Sequence, residues 1–126
     1  MYEIQVEGWF SAAHQLRLLD GQLEPLHGHN WHVRVTYAGA HLDGMDVLLD
    51  FTRLKPSLDR VLSAWHDRNL NDLPEFSTSN PSAEMVARRL FELLGADDYS
   101  GAALDSVEVV EAPGCRARYN RDVKPT

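Results

Sequence analysis

Cysteine is nearly absent from this sequence. Cys115 stands alone, so no intramolecular disulfide can form. A single free thiol suits a reducing compartment. Long apolar runs are missing too, and none approaches the roughly 20 residues needed to cross a bilayer. The opening residues Met1-Tyr2-Glu3-Ile4-Gln5-Val6-Glu7 lack the basic and apolar regions of a signal peptide, so the cytoplasm is the expected location. Basic residues are scarce: 12 Lys and Arg against 19 Asp and Glu give a formal net charge of −7. That deficit argues against nucleic acid, which is gripped largely by cations on phosphates. It argues equally against an anionic membrane surface. A small molecule or another protein is left as partner. Repeats, linkers and low-complexity tracts are also missing. What is present is 126 residues, 44% of them hydrophobic, enough for one domain over 1–126 with a real core.

Two segments alternate with a period of two. Tyr2, Ile4 and Val6 alternate with Glu3, Gln5 and Glu7, and the same parity runs through Phe10 and Ala12 to His14. Trp31, Val33, Val35 and Tyr37 alternate with His32, Arg34 and Thr36, which predicts a second strand antiparallel to the first. From Asp50 the period becomes helical: Leu54, Leu58, Val61, Leu62 and Trp65 share one face, with Asp50 or Thr52 as cap. Asn71-Asp72-Leu73-Pro74 reads as a turn. Asn80-Pro81 reads as a cap followed by proline at the first helical position. Val86, Leu90, Leu93 and Leu94 form the apolar face of a second helix, ended by Gly95. A third strand is expected from Val107 through Glu111, broken at Pro113-Gly114, and a fourth from Arg116 to Tyr119. Two strands, two helices and two strands make an α+β fold: a four-stranded antiparallel sheet with both helices on one face.

Three of the six histidines form a pattern. His27 and His29 flank Gly28, and residues i and i+2 of a strand project to the same side. His14 ends the first strand on its apolar parity. A hairpin of these strands would bring all three imidazoles together, a set that suits Zn²⁺ and leaves a fourth position open.

Phe10-Ser11-Ala12-Ala13-His14 followed by Leu26-His27-Gly28-His29-Asn30-Trp31 resembles the signature of the 6-pyruvoyltetrahydropterin synthase family. That family includes the 6-carboxytetrahydropterin synthases of queuosine biosynthesis. Asp50-Phe51, Leu70-Asn71-Asp72-Leu73-Pro74, Asn80-Pro81-Ser82-Ala83-Glu84 and Val109-Val110-Glu111 resemble further family motifs in the same order. The resemblance implies the tunnelling fold (T-fold), closed into a barrel by a homo-oligomer, usually a hexamer. It implies zinc on His14, His27 and His29, and a pterin ring held by Glu111.

The sequence departs from the family in two places. The family's usual base is a cysteine four residues before the His-Gly-His motif, where this chain has Leu23. Glu24 follows. One branch of the family is similar in placing a glutamate there; it cleaves the side chain of dihydroneopterin to give 6-hydroxymethyldihydropterin for folate synthesis. A carboxylate near Zn²⁺ can take a proton from a polarised hydroxyl, which makes Glu24 the candidate base. The family's Asp-His pair appears here reversed, as His66-Asp67, with His66 able to titrate near neutrality. Alternatively, each of these residues has an ordinary reading: a loop carboxylate, and a histidine at a helix C-terminus favoured by the dipole.

Three functions compete. The first is a zinc-dependent pterin lyase acting on 7,8-dihydroneopterin or its triphosphate, with Glu24, His66 and Asp67 as catalytic candidates. The second is a zinc- and pterin-binding homologue with weak catalysis, as the two departures would suit. The third is a zinc hydrolase on another small molecule, which leaves Glu111 unexplained. Cys115 is expected to be a packed residue without a role in the site.

Overall fold

The computed structural model describes residues 1–97, 99 and 101–121. Strand β1 (Tyr2–His14) pairs antiparallel with β2 (His27–Gly39) in an unbroken ladder from Tyr2↔Gly39 to His14↔His27. Helix α1 (Phe51–Trp65) follows, then β3 (Arg68–Asn69), two single-turn 3₁₀ helices, α2 (Ala83–Leu94), β4 (Ala103–Ala112) and β5 (Cys115–Asn120). The sheet order is β3-β1-β2-β4-β5.

The alternation seen in the sequence becomes the two faces of this sheet. Val6, Phe10, Ala12, Trp31, Val33, Val35, Tyr37, Val107 and Val109 are buried on one face. There they meet Leu54, Leu58, Leu62 and Trp65 of α1 and Val86, Ala87, Leu90 and Leu94 of α2. Both helices therefore cover one face, α1 over β1 and α2 over β4 and β5. Phe10 and Trp31 lie ring on ring, with centroids 5.9 Å apart, beneath the far end of the ladder. The other face is open. It carries a row of alternating charge: Arg34 Nε donates to Glu7 at 2.7 Å, and Arg34, Arg116 and Arg118 approach Glu108.

Four details correct the sequence-based expectations. The sheet has five strands, because Arg68 and Asn69 pair parallel with Ala12 and Ala13. The third expected strand starts at Ala103, before a register shift opposite Thr36/Tyr37. The segment at Asn71–Pro74 forms two 3₁₀ turns, Leu70–Asp72 and Pro74–Phe76. Helix α2 is capped by Ser82, whose hydroxyl accepts from Met85 N, and not by Asn80. At α1 the cap is Asp50, which accepts from Thr52 N at 2.8 Å.

Candidate active site

The β1–β2 register builds the site. His14 lies directly opposite His27, and Ala12 opposite His29, all on the helix-facing parity. The ring centroids of His14 are 4.6 Å from His27 and 5.1 Å from His29. One ring nitrogen from each of the three falls within 4.8 Å of the others, a group able to hold a metal ion. His14 is buried, His29 half-buried and His27 exposed.

Hydrogen bonds fix how these rings present themselves. His14 Nδ1 is 2.7 Å from the Pro81 carbonyl, and His27 Nδ1 is 2.8 Å from the Pro25 carbonyl. A carbonyl oxygen can only accept, so each Nδ1 carries the proton and donates. Each Nε2 then offers a lone pair. A backbone carbonyl bonded to the far nitrogen is the usual outer support of a metal-ligating histidine. Nε2 of His14 and Nε2 of His29 are buried without a hydrogen-bond partner. Burial holds His29 below its ordinary pKa, against the opposing pull of Glu111. Two buried, unpartnered imidazole nitrogens, with a third ring from His27 beside them, fit a divalent metal of the zinc type.

Glu111 borders this cluster without being part of the three-histidine group. It shares the inward parity of Val107 and Val109, and the pairing of β4 with β2 ends at Val110↔His32, one residue before it. Its Oε1 reaches 3.1 Å from His14 Nε2 and 3.6 Å from His29 Nε2. A cleft of about 520 Å³ opens beside it, walled by Gly28, His29, Asn30, His32, Val110 and Pro113 among others. Gly28 keeps this approach open: a Cβ there would meet only Ala12 O, at 3.7 Å.

The loop after His14 is held by side chains. Asn71 Oδ1 accepts from Gln15 N, Glu24 Oε1 from Leu16 N and Asn80 Oδ1 from Arg17 N, at 2.9, 3.0 and 2.8 Å. The amides of Asn71 and Asn80 donate back to the Gln15 and Arg17 carbonyls. Sequence reasoning missed this work of Asn71 and Asn80, which looked like turn and cap residues. Glu24 is thus anchored, half-buried, three residues before His27. Leu23, in the place of the family's cysteine, is 49% exposed.

His66 and Asp67 lie elsewhere, on the edge of β1. His66 Nδ1 accepts from Ser11 N at 3.0 Å, and Asp67 N donates to Ser11 O at 2.7 Å. Both bonds go to the backbone of Ser11, three residues before His14, and neither residue belongs to the three-histidine group. His66 caps α1, and its Nε2 lies 3.4 Å from Asp67 Oδ2. Asp67 has φ of 58°, a left-handed conformation uncommon outside glycine. Asp67 and His29 do line one open cleft of about 590 Å³. Cys115 is exposed, not packed as expected. His32 and His41 are exposed and outside the three-histidine group, although His32 lines the cleft beside Glu111.

Comparison with known proteins gives the arrangement a context. The family model for 6-pyruvoyl tetrahydropterin synthase matches residues 3–122. The chain is 35% identical over 124 residues to the 6-carboxy-5,6,7,8-tetrahydropterin synthase of Synechocystis, covering 94% of this chain and 93% of that one. It is 31% identical over 88 residues to the dihydroneopterin monophosphate aldolase of Pyrococcus furiosus, covering 70% and 74%. Among solved structures, the 6-pyruvoyl tetrahydropterin synthase of Caenorhabditis elegans superposes with a TM-score of 0.83 at 26% identity, over 96% of both chains. The fold is the T-fold of that enzyme, α+β with two helices on a mostly antiparallel sheet. With sequence and backbone in agreement over nearly the whole chain, the protein belongs to the 6-pyruvoyl tetrahydropterin synthase family.

Proposed function

We propose that this protein is a zinc-dependent lyase that cleaves the side chain of a 7,8-dihydroneopterin, free or phosphorylated, to 6-hydroxymethyldihydropterin. The observation that carries this reading is Glu24, a carboxylate anchored beside the metal-ligand loop where Leu23 cannot move a proton. The relative that is a dihydroneopterin monophosphate aldolase supports the substrate class.

His14, His27 and His29 would hold the zinc. Bound there, zinc acts as a Lewis acid that lowers the pKa of a substrate hydroxyl and stabilises the oxyanion. Glu24 takes the proton of the 2′-hydroxyl as the C1′–C2′ bond breaks. The 2′ carbon leaves as the carbonyl of a two-carbon aldehyde, and C1′ gains a proton. A carboxylate has two oxygens, so the Leu16 tether leaves one for this transfer. His66 accepts from Ser11 N through Nδ1, which places its own proton on Nε2, beside Asp67. That pair can supply the proton to C1′, from a neighbouring subunit if copies assemble edge to edge. Glu111 holds the guanidine-like edge of the pterin in the cleft next to His29.

The assembly is a homo-oligomer, a hexamer by family resemblance. Two features support it. Strands β3 and β5 present open edges. Leu18, Leu19, Leu23 and Leu26 are exposed on the loop next to the site.

The test is turnover of dihydroneopterin and of its mono- and triphosphates by wild type and Glu24→Gln. The amide keeps size and can still accept from Leu16 N, but it cannot take the proton. We expect a rate loss of about 10²–10⁴-fold, with zinc content and pterin binding unchanged. Cys115→Ser should keep full activity. Full rate in Glu24→Gln would assign the base elsewhere. Wild type that binds pterin and turns over none of the three would favour the second reading, a binding homologue with weak catalysis, which the displaced His66-Asp67 pair also suits.

A further inference from the structure

We infer that Glu111 is the fourth ligand of the metal when no substrate is bound, and that pterin binding draws it away. The inference rests on the reading that His14, His27 and His29 hold the ion.

The distances carry it. Ligands of tetrahedral zinc sit about 2.0–2.2 Å from the ion, which separates any two by roughly 3.4 Å. Glu111 Oε1 stands 3.1 Å from His14 Nε2 and 3.6 Å from His29 Nε2, on either side of that value for two of the three histidines; it lies outside the preformed three-histidine group, so a small turn of its side chain toward His27 completes the set. The chemistry points the same way. The Pro81 carbonyl accepts from His14 Nδ1, which leaves Nε2 as the ring nitrogen that faces Glu111 and can ligate. A carboxylate oxygen is an acceptor as well. A lone pair and a carboxylate oxygen this close call for a positive charge between them, which a metal ion supplies. A hydrogen bond does not bridge them, because neither Nε2 has a partner in bonding geometry.

The backbone lets the carboxylate serve two places. Pairing of β4 with β2 stops at Val110, and the β4–β5 register shifts between Val110 and Ala112. Glu111 lies in that irregular step, where the chain is freed from one neighbour and bent by the other. Its side chain is 28% exposed and borders the cleft beside His29. A small rotation moves the carboxylate between the histidine cluster and the cleft. At rest it would neutralise part of the metal's charge and close the open position against water. A pterin offering two N–H donors would take the carboxylate, and the vacated position would pass to the substrate's hydroxyl.

The experiment measures metal binding, independent of turnover. Purified wild type and Glu111→Gln are titrated with zinc against a colorimetric chelator, and visible spectra of both are recorded with cobalt(II) in place of zinc. We expect one metal per chain in both, with zinc affinity in Glu111→Gln weakened about 10- to 100-fold or more, since removing even groups that only support the ligands costs that much. The cobalt bands should shift in Glu111→Gln, and neopterin added to the cobalt wild type should shift them the same way. Equal zinc affinity and identical cobalt spectra in the two proteins would overturn the inference. The three-histidine reading would survive that result if His27→Ala still loses the metal. A wild type that binds neither zinc nor cobalt would overturn both.

Discussion

The three histidines differ in burial, and this sets up a comparison between two alanine variants in metal-free protein. His14 is 1% exposed, its ring edge-on to Trp31 and its Nδ1 bonded to the Pro81 carbonyl. Alanine there leaves that carbonyl without its donor, at about 1–3 kcal/mol, and adds a void under the ladder's end. Against this, it removes a buried Nε2 that lacks a partner, which returns about 1 kcal/mol. The net loss for His14→Ala is about 1–3 kcal/mol. At about 4 °C per kcal/mol for a domain of this size, the melting temperature drops about 4–12 °C. His27 is exposed, so His27→Ala should stay within about 0.5 kcal/mol of metal-free wild type. Zinc reverses the similarity: at 100 times Kd it adds about 2.7 kcal/mol, or about 11 °C, to wild type alone. Thermal unfolding followed by circular dichroism, at one protein concentration, with chelator and then with zinc, reads all six values. Equal losses in the two metal-free variants would refute the burial argument. Zinc stabilisation of His27→Ala as large as that of wild type would refute the ligand assignment.

Two further outcomes follow from packing. A Cβ on Gly39 would fall against the backbone carbonyl of Gly101 and 2.7 Å from Leu48 Cδ1; because backbone cannot step aside, Gly39→Ala should cost about 1–3 kcal/mol in urea unfolding, and an unchanged midpoint would contradict it. Light scattering at micromolar concentration should show a multiple of the 14.2 kDa chain; a stable monomer would remove the proposed assembly.

The sheet's inner face was legible because its period of two is unbroken from Tyr2 to His14 and from Trp31 to Tyr37. The same parity brought His14, His27 and His29 together before any coordinates, whereas Glu111 was named from the family resemblance. The helices were legible from their apolar faces, α1 with its Asp50 cap. What escaped has a common cause in distance along the chain. Strand β3 is two polar residues made a strand only by the edge of β1. Asn80 has the chemistry of a cap, yet its side chain is used by Arg17, which leaves Ser82 to cap α2. Asn71 likewise satisfies Gln15 instead of its own turn. No local pattern distinguishes an asparagine that serves its own turn from one that serves a backbone tens of residues away. His66 and Asp67 are visible as titratable residues, but nothing in the sequence says that Ser11 claims both.

The long ladder between β1 and β2 has a consequence for how the protein matures. His14 and His27 are its last pair, at the end away from Tyr2 and Gly39, and they meet only in one register. A slip of one residue would put His14 on the opposite face from His27 and His29. A slip of two would restore the face but set His14 across from His29 or from the loop. On the proposed reading, metal capture would act as proofreading: an ion held by three imidazoles would reward only the correctly zipped strands, and a misaligned chain would forfeit that stabilisation.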